Sequence, residues 1–121
     1  MRETGISNLI RLEASRKGCR LWRNNNGACT TDTGSFIRYG LANESAAVNA
    51  VLKSADLIGI RPMIIEPWMV GGTFGMFLSR EIKQPGWKYR DTARERAQVA
   101  WRDLINSLGG DAAIVTCEGS I

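Results

Sequence analysis

Histidine is absent from this sequence, and that gap alone removes several chemistries. Ser-His-Asp and Cys-His catalysis both need an imidazole, as does any histidine general acid or base. The three cysteines, Cys19, Cys29 and Cys117, stand far apart. With no CxxC pair and no histidine they do not suit a structural zinc site, and an odd number does not suit a disulfide framework. Cys19 and Cys117 have apolar neighbours in sequence and are expected to be core thiols. No apolar run approaches the ~20 residues that span a bilayer. The opening Met1-Arg2-Glu3 lacks the basic-then-apolar order of a secretion signal. We therefore expect a soluble cytoplasmic protein with no membrane partner. Carboxylate, lysine, tyrosine and metal remain as carriers of catalysis.

What is present suffices for a folded core. The chain has 121 residues, 44% of them hydrophobic, which fits one compact domain over 1–121. The 16 Lys and Arg residues against 12 Asp and Glu give a net charge of +4. That balance is compatible with a polyanionic partner without requiring one.

Periodicity predicts a helix over 3–17, with Ile6, Leu9, Ile10, Glu13 and Lys17 on one face and Gly18 as its stop. Residues 19–24 alternate like a strand. A polar loop over 25–35, a short strand over 36–39 and a short helix within 43–52 follow. Asp56 opens a strand, Leu57-Ile58-Gly59-Ile60, which Arg61-Pro62 breaks. Residues 63–70 read as a short strand or hairpin arm, and Gly71-Gly72 as a turn. The longest strand is expected over 73–83, closed by Gln84-Pro85-Gly86. Thr92 and Glu95 form a capping box for a helix whose buried stripe is Ala97, Trp101, Leu104, Ile105 and Leu108. Gly109-Gly110 stops it, and residues 112–117 make a last strand. A helix before the last strand implies a crossover, so that strand should run parallel to an earlier one. The expected class is α/β, a mixed central sheet flanked by helices.

Two acids stand at strand positions where acids are unfavourable. Asp56 precedes an apolar run, and Glu81 lies in Phe77-Leu78-Ser79-Arg80-Glu81-Ile82-Lys83. Strand residues two apart share a side, so Glu81 and Lys83 share a face, roughly 6–7 Å apart along the strand. If Asp56 is brought against Glu81, the two carboxylates repel unless a cation lies between them. Mg²⁺ suits such a pair, being held by one or two carboxylates plus water and a phosphate oxygen. Lys83 would then orient or deprotonate an attacking water, or steady charge developing on a phosphate. A bare D…ExK pattern is more often the solvated edge of a strand, and only its surroundings change the odds.

Those surroundings are Leu21-Trp22-Arg23-Asn24-Asn25-Asn26-Gly27, Ile37-Arg38-Tyr39-Gly40-Leu41, Ser54-Ala55-Asp56-Leu57-Ile58-Gly59, the ExK segment, Gln98-Val99-Ala100-Trp101 and Gly109-Gly110. In this order they resemble the VRR-NUC domain, the virus-type replication-repair branch of the PD-(D/E)xK nucleases, over nearly the whole chain. The resemblance implies a restriction-endonuclease-like core, with Asp56, Glu81 and Ile82 holding Mg²⁺ or Mn²⁺ and Lys83 as the catalytic lysine. It further implies a glutamate on the first helix, best matched by Glu3 with Glu13 as its rival, and a site-facing glutamine at Gln98. Two features depart from the family pattern: Ser54-Ala55 replaces the usual Pro or Gly before the aspartate, and residues 61–72 lengthen the gap to Glu81. That insertion suits a longer hairpin, with a dimer contact or a DNA wedge as alternatives.

Arg23, Asn24 and Asn25 leave a strand beside the expected site, Arg38 follows a polar loop, and Arg94 precedes Gln98 by one helical turn. Such groups suit phosphate contacts, which position nucleic acid without reading its sequence; a turn-forming, solvated Asn cluster is the plainer alternative. Stand-alone members of the family resemble Holliday-junction resolvases, and a two-fold dimer matches a four-way junction. The expectation is a homodimeric endonuclease acting on branched DNA. The alternatives are a monomeric 5′-flap nuclease and a DNA-binding module that does not cut.

Overall fold

The computed structural model describes residues 2–121, so Met1 of the opening tripeptide lies outside the described residues. Among the described residues the class is mixed α/β, with three helices and three two-stranded ladders. The chain divides into two compact units, Met1–Gly59 and Ile60–Ile121.

The first unit begins with α1 (Glu3–Arg16) and continues into β1 (Arg20–Arg23). The two are tied where the Cys19 N–H donates to the Ala14 carbonyl at 2.8 Å. β1 pairs with β4 (Leu57–Ile60). The Asn24 N–H donates to the Asp56 carbonyl at 2.8 Å, while the Arg20 carbonyl abuts Gly59, so the two strands run in opposite directions. A Cβ at Gly59 would overlap that carbonyl. Glycine is therefore required there for the ladder to close.

Between them lie β2 (Gly27–Thr30) and β3 (Phe36–Tyr39), an antiparallel hairpin in register from Gly27 opposite Tyr39 to Thr30 opposite Phe36. The first half of the expected 25–35 loop is thus a strand, because Phe36–Tyr39 supplies a partner ladder that the polar composition did not announce. Asn43, buried, ties the open end of the hairpin. Its amide donates to the carbonyls of Gly27 at 2.8 Å and Tyr39 at 2.9 Å. A short α2 (Ala46–Val51) follows, capped by Ser45, whose hydroxyl accepts the Val48 N–H.

One expectation fails in α1. Ile6, Leu9, Ile10 and Leu12 are 44–54% exposed, and only Ala14 of this helix is buried. The side of α1 that carries Asn8, Arg11 and Ser15 instead lies along Arg20, Leu21 and Trp22. Cys117 is exposed and Cys19 half-buried, so neither is a core thiol.

The second unit is built on β5 (Leu78–Ile82), α3 (Ala93–Ser107) and β6 (Asp111–Val115). β5 and β6 are parallel, from Leu78 opposite Asp111 to Ile82 opposite Val115, which is the crossover expected from a helix placed before the last strand. The ladder extends at both ends, with the Asp111 N–H on the Phe77 carbonyl and the Lys83 N–H on the Val115 carbonyl. β5 is shorter than the expected 73–83 because β6 offers no partner to the residues before Phe77. Ile105 of α3 is fully buried against this pair. Gly110 has no room for a Cβ, which would lie 2.7 Å from the Ile105 side chain.

Residues 63–70 form no strand. Pro67–Met69 is a single 3-10 turn, as expected where proline removes a ladder donor. Ile64, Ile65, Trp68 and Val70 around it are 74–86% exposed. Beside them an apolar cleft of about 400 Å³ is lined by Met63, Ile65, Met69, Phe74, Met76 and Leu108.

Candidate metal and phosphodiester site

Each unit holds part of the expected constellation. In the first, a cleft of about 180 Å³ between the start of α1 and the end of β1 is lined by Glu3, Ser7, Asn8, Arg23, Asn24, Asn25 and Asp56. The β1–β4 pairing sets Asp56 at the mouth of its strand, and α1 presents Glu3 from its first turn. Among the described residues neither carboxylate has a hydrogen-bond or ion-pair partner. Two acids facing one cleft repel each other; Arg23 lines the same cleft but forms no ion pair with either of them among the described residues, so a bound cation would relieve the repulsion. Glu13 lies outside this cleft and pairs with Lys17 at 3.8 Å. Of the two rival glutamates, Glu3 is therefore the one beside Asp56.

Asn24 works on the protein itself. Its amide donates to the Ser54 hydroxyl at 2.7 Å and the Ala55 carbonyl at 3.0 Å. Asn26 donates to the same hydroxyl, which in turn donates to the Leu41 carbonyl. These bonds fix the 54–56 segment and with it the backbone of Asp56. Ser54 is the centre of this knot. Arg38 is engaged within its hairpin, 3.2 Å from the Asn43 amide oxygen and over the Phe36 ring. It does not line the cleft.

In the second unit the odd-numbered residues of β5 face α3. Ser79 accepts the Trp101 indole N–H at 2.9 Å, and Glu81 Oε1 accepts the Gln98 amide at 2.9 Å. Glu81 and Lys83 do share a face, with their charged atoms 3.8 Å apart. Gln98 Oε1 is buried without a partner among the described residues. The carboxylate of Glu81 fixes the amide's orientation, since a reversed amide would set oxygen against oxygen. The amide that carries the orphaned acceptor is thereby held against Glu81, with its oxygen buried and unsatisfied among the described residues. Ile82, 77% exposed, has only its main-chain carbonyl to offer a metal. Arg94, exposed, stands one turn before Gln98 without an ion pair among the described residues.

Two further residues belong to this cluster and were not singled out as site residues from sequence. The Lys83 ammonium lies over the Trp87 ring, 5.5 Å from its centroid. The Trp87 indole donates to Glu95 Oε1 at 3.2 Å, and Glu95 Oε2 takes the Arg90 N–H at 2.6 Å. The Arg90 bond holds the Glu95 carboxyl below its ordinary range. Burial opposes this, and the Trp87 bond and the Lys83 charge add to it. Glu95 thus serves as both helix cap and anchor. The only sequence signal was its place in the capping box, and Trp87 carried none.

No family model, curated protein or solved structure matches the chain.

Among the described residues no three His, Cys, Asp or Glu side chains gather into one group. A hard divalent cation does not need three. One or two carboxylates with water and a phosphate oxygen suffice, and Glu3 with Asp56, or Glu81 beside the orphaned Gln98 oxygen, offers such a set.

Proposed function

We propose that the protein is a Mg²⁺- or Mn²⁺-dependent endonuclease of the VRR-NUC kind that hydrolyses phosphodiesters in branched DNA, working as a homodimer on four-way junctions. The observation that carries the reading is the Glu81–Lys83 face: a carboxylate and an ammonium side by side, with a buried, unpartnered amide oxygen next to them. Support comes also from the first unit, where Asp56 and Glu3 share a cleft with Arg23. The parallel β5–β6 pair joined through α3 is compatible with the restriction-endonuclease-like core that belongs to this reading.

In this reading Asp56 and Glu81, with the Ile82 carbonyl, hold the cation. When bound, such a cation polarises a phosphoryl oxygen and lowers the pKa of water. Lys83 faces the negative charge that grows on the phosphate as water oxygen bonds to phosphorus and the bond to the leaving sugar oxygen breaks. Gln98 orients Glu81, and Arg23, Asn25 and Arg94 contact phosphates. Arg38 and Asn24 contribute through the protein's own hydrogen bonds.

The test is a synthetic four-way junction with Mg²⁺ or Mn²⁺. Symmetric paired nicks are expected. Asp56→Ala and Lys83→Ala should lower cutting by at least about 100-fold, the scale of losing one electrostatic stabiliser, while junction binding stays measurable. Cutting confined to 5′ flaps would replace the junction with a flap substrate. Binding without cleavage in either metal would overturn the nuclease reading. A sedimentation mass of one chain that persists with junction DNA would overturn the dimer.

A further inference from the structure

A second cleft, of about 410 Å³, continues along the same helix. Asn8, Arg11 and Ser15 of α1 line one wall, and Arg20, Leu21 and Trp22 of β1 the other. Asn8 also lines the Glu3–Asp56 cleft, so the two form one track between α1 and β1. Their chemistry differs. The first carries two carboxylates and one guanidinium, Arg23. The second carries two guanidinium groups and no acid among its lining residues.

Arg11 is the decisive residue. Its Nε is buried and lacks a hydrogen-bond partner, and it forms no ion pair among the described residues. Guanidinium is donor-only, so an N–H left without an acceptor costs on the order of 1–3 kcal/mol. A second cation, Arg20, in the same cleft adds repulsion. Both costs vanish if the cleft receives an anion with several acceptor oxygens. Guanidinium groups match phosphate in shape and charge and bind it through paired N–H donors. Asn8 and Ser15 add neutral donors on the same wall.

We propose that Arg11 and Arg20 form a phosphate-binding subsite for the backbone of the DNA strand whose cleavage Asp56 serves. The proposal rests on the nuclease reading for the identity of the ligand. From Glu3 to Arg11 is eight residues of helix, or about 12 Å at the α-helical rise. The subsite therefore grips the strand at about that distance along the track from the carboxylates. It positions the substrate and takes no part in bond breaking.

The experiment follows the Arg11 Nε–Hε resonance in ¹⁵N-labelled full-length protein, assigned by its loss in Arg11→Lys, during titration with single-stranded pentathymidylate. A saturable shift is expected, absent when NaCl of equal ionic strength is added. Arg11→Gln should weaken pentathymidylate binding about tenfold and reduce the slope of log K against log salt by about 0.7, the value for one phosphate contact on a single strand. Arg11→Lys should recover part of the affinity. Arg20→Gln, a change at an exposed side chain, should weaken binding with the fold intact. An unmoved Arg11 signal, or wild-type affinity and slope in both glutamine variants, would overturn the subsite. Junction cutting with an unmoved Arg11 signal rejects the subsite and leaves the nuclease standing. A shifted signal without cleavage in either metal does the reverse.

Discussion

Glu95 holds a charge where the sequence shows only the third position of a helix. Its carboxylate accepts the Arg90 N–H and the Trp87 indole, and its folded-state pKa lies below the ordinary 4.5. A depressed carboxylate pKa adds stability above the unfolded-state value, and that stability is lost as pH falls through the folded value. Glu95→Gln should therefore lower the melting temperature at about pH 7, with the gap to wild type closing towards about pH 3. A gap of equal size at both pH values would show that the bonds do not depend on the charge. Because Glu95 fixes Trp87, and Trp87 underlies Lys83, the same variant should also reduce cutting at neutral pH. None of this was legible beforehand. The Ser/Thr-x-x-Glu pattern speaks to local backbone, and a contact with Trp87, eight residues upstream, depends on how the 84–92 segment folds back. Glu81 and Lys83 were legible, because the two-residue period of a strand settles their common side whatever else the chain does.

Gly59 sets a comparable constraint at the scale of elements. The β1–β4 ladder brings the Arg20 carbonyl against its α-carbon, and the obstacle to a Cβ is backbone, which cannot swing aside as a side chain can. Gly59→Ala should cost about 1–3 kcal/mol, the usual cost of overpacking, read as a lower denaturant midpoint at an unchanged m-value. Asp56 stands three residues away and is held to β1 through Asn24, so cutting should fall as well, although Gly59 touches no substrate. Wild-type stability in that variant would show that β1 and β4 do not pair in solution. Strong helices were readable from sequence because their signals are local: the Thr92 cap and the glycine stop of α3 stand as expected, whereas of the expected buried stripe only Ile105 is buried, Leu104 and Leu108 being half-buried and Ala97 and Trp101 exposed. The strands β1, β3 and β4 stand where local alternation and the apolar run placed them, but pairing and length were readable only where topology supplies a partner. The β5–β6 pairing follows from the intervening helix, whereas β2 and the true length of β5 depend on which distant residues offer hydrogen bonds. The α1 face went wrong for a related reason. Hydrophobic periodicity marks the side that would gain most from cover, but β1 lies along the side carrying Asn8, Arg11 and Ser15, the side that a phosphate track needs.

For the whole molecule, the reading asks Asp56, in Met1–Gly59, and Glu81, in Ile60–Ile121, to serve one reaction. Groups that act as a unit are non-additive: once one is removed, removing the other costs little more. Mn²⁺ binding followed by electron paramagnetic resonance gives a measure independent of catalysis. Asp56→Asn and Glu81→Gln should each weaken Mn²⁺ binding by about tenfold or more, the scale of a 1.4 kcal/mol loss. The double variant should be little weaker than the worse single. Full additivity would mean that the two carboxylates hold cations independently, and the single-centre reading would fail. Glu3→Gln supplies the internal control. Glu3 lines the same cleft as Asp56, so its effect should be coupled to that of Asp56→Asn even if Glu81 is not. A chain in which Glu3 and Asp56 are coupled while Glu81 is independent would be a cation-binding protein with its centre in the first unit alone, and Lys83 would then be a partner of Glu81 with no share in catalysis.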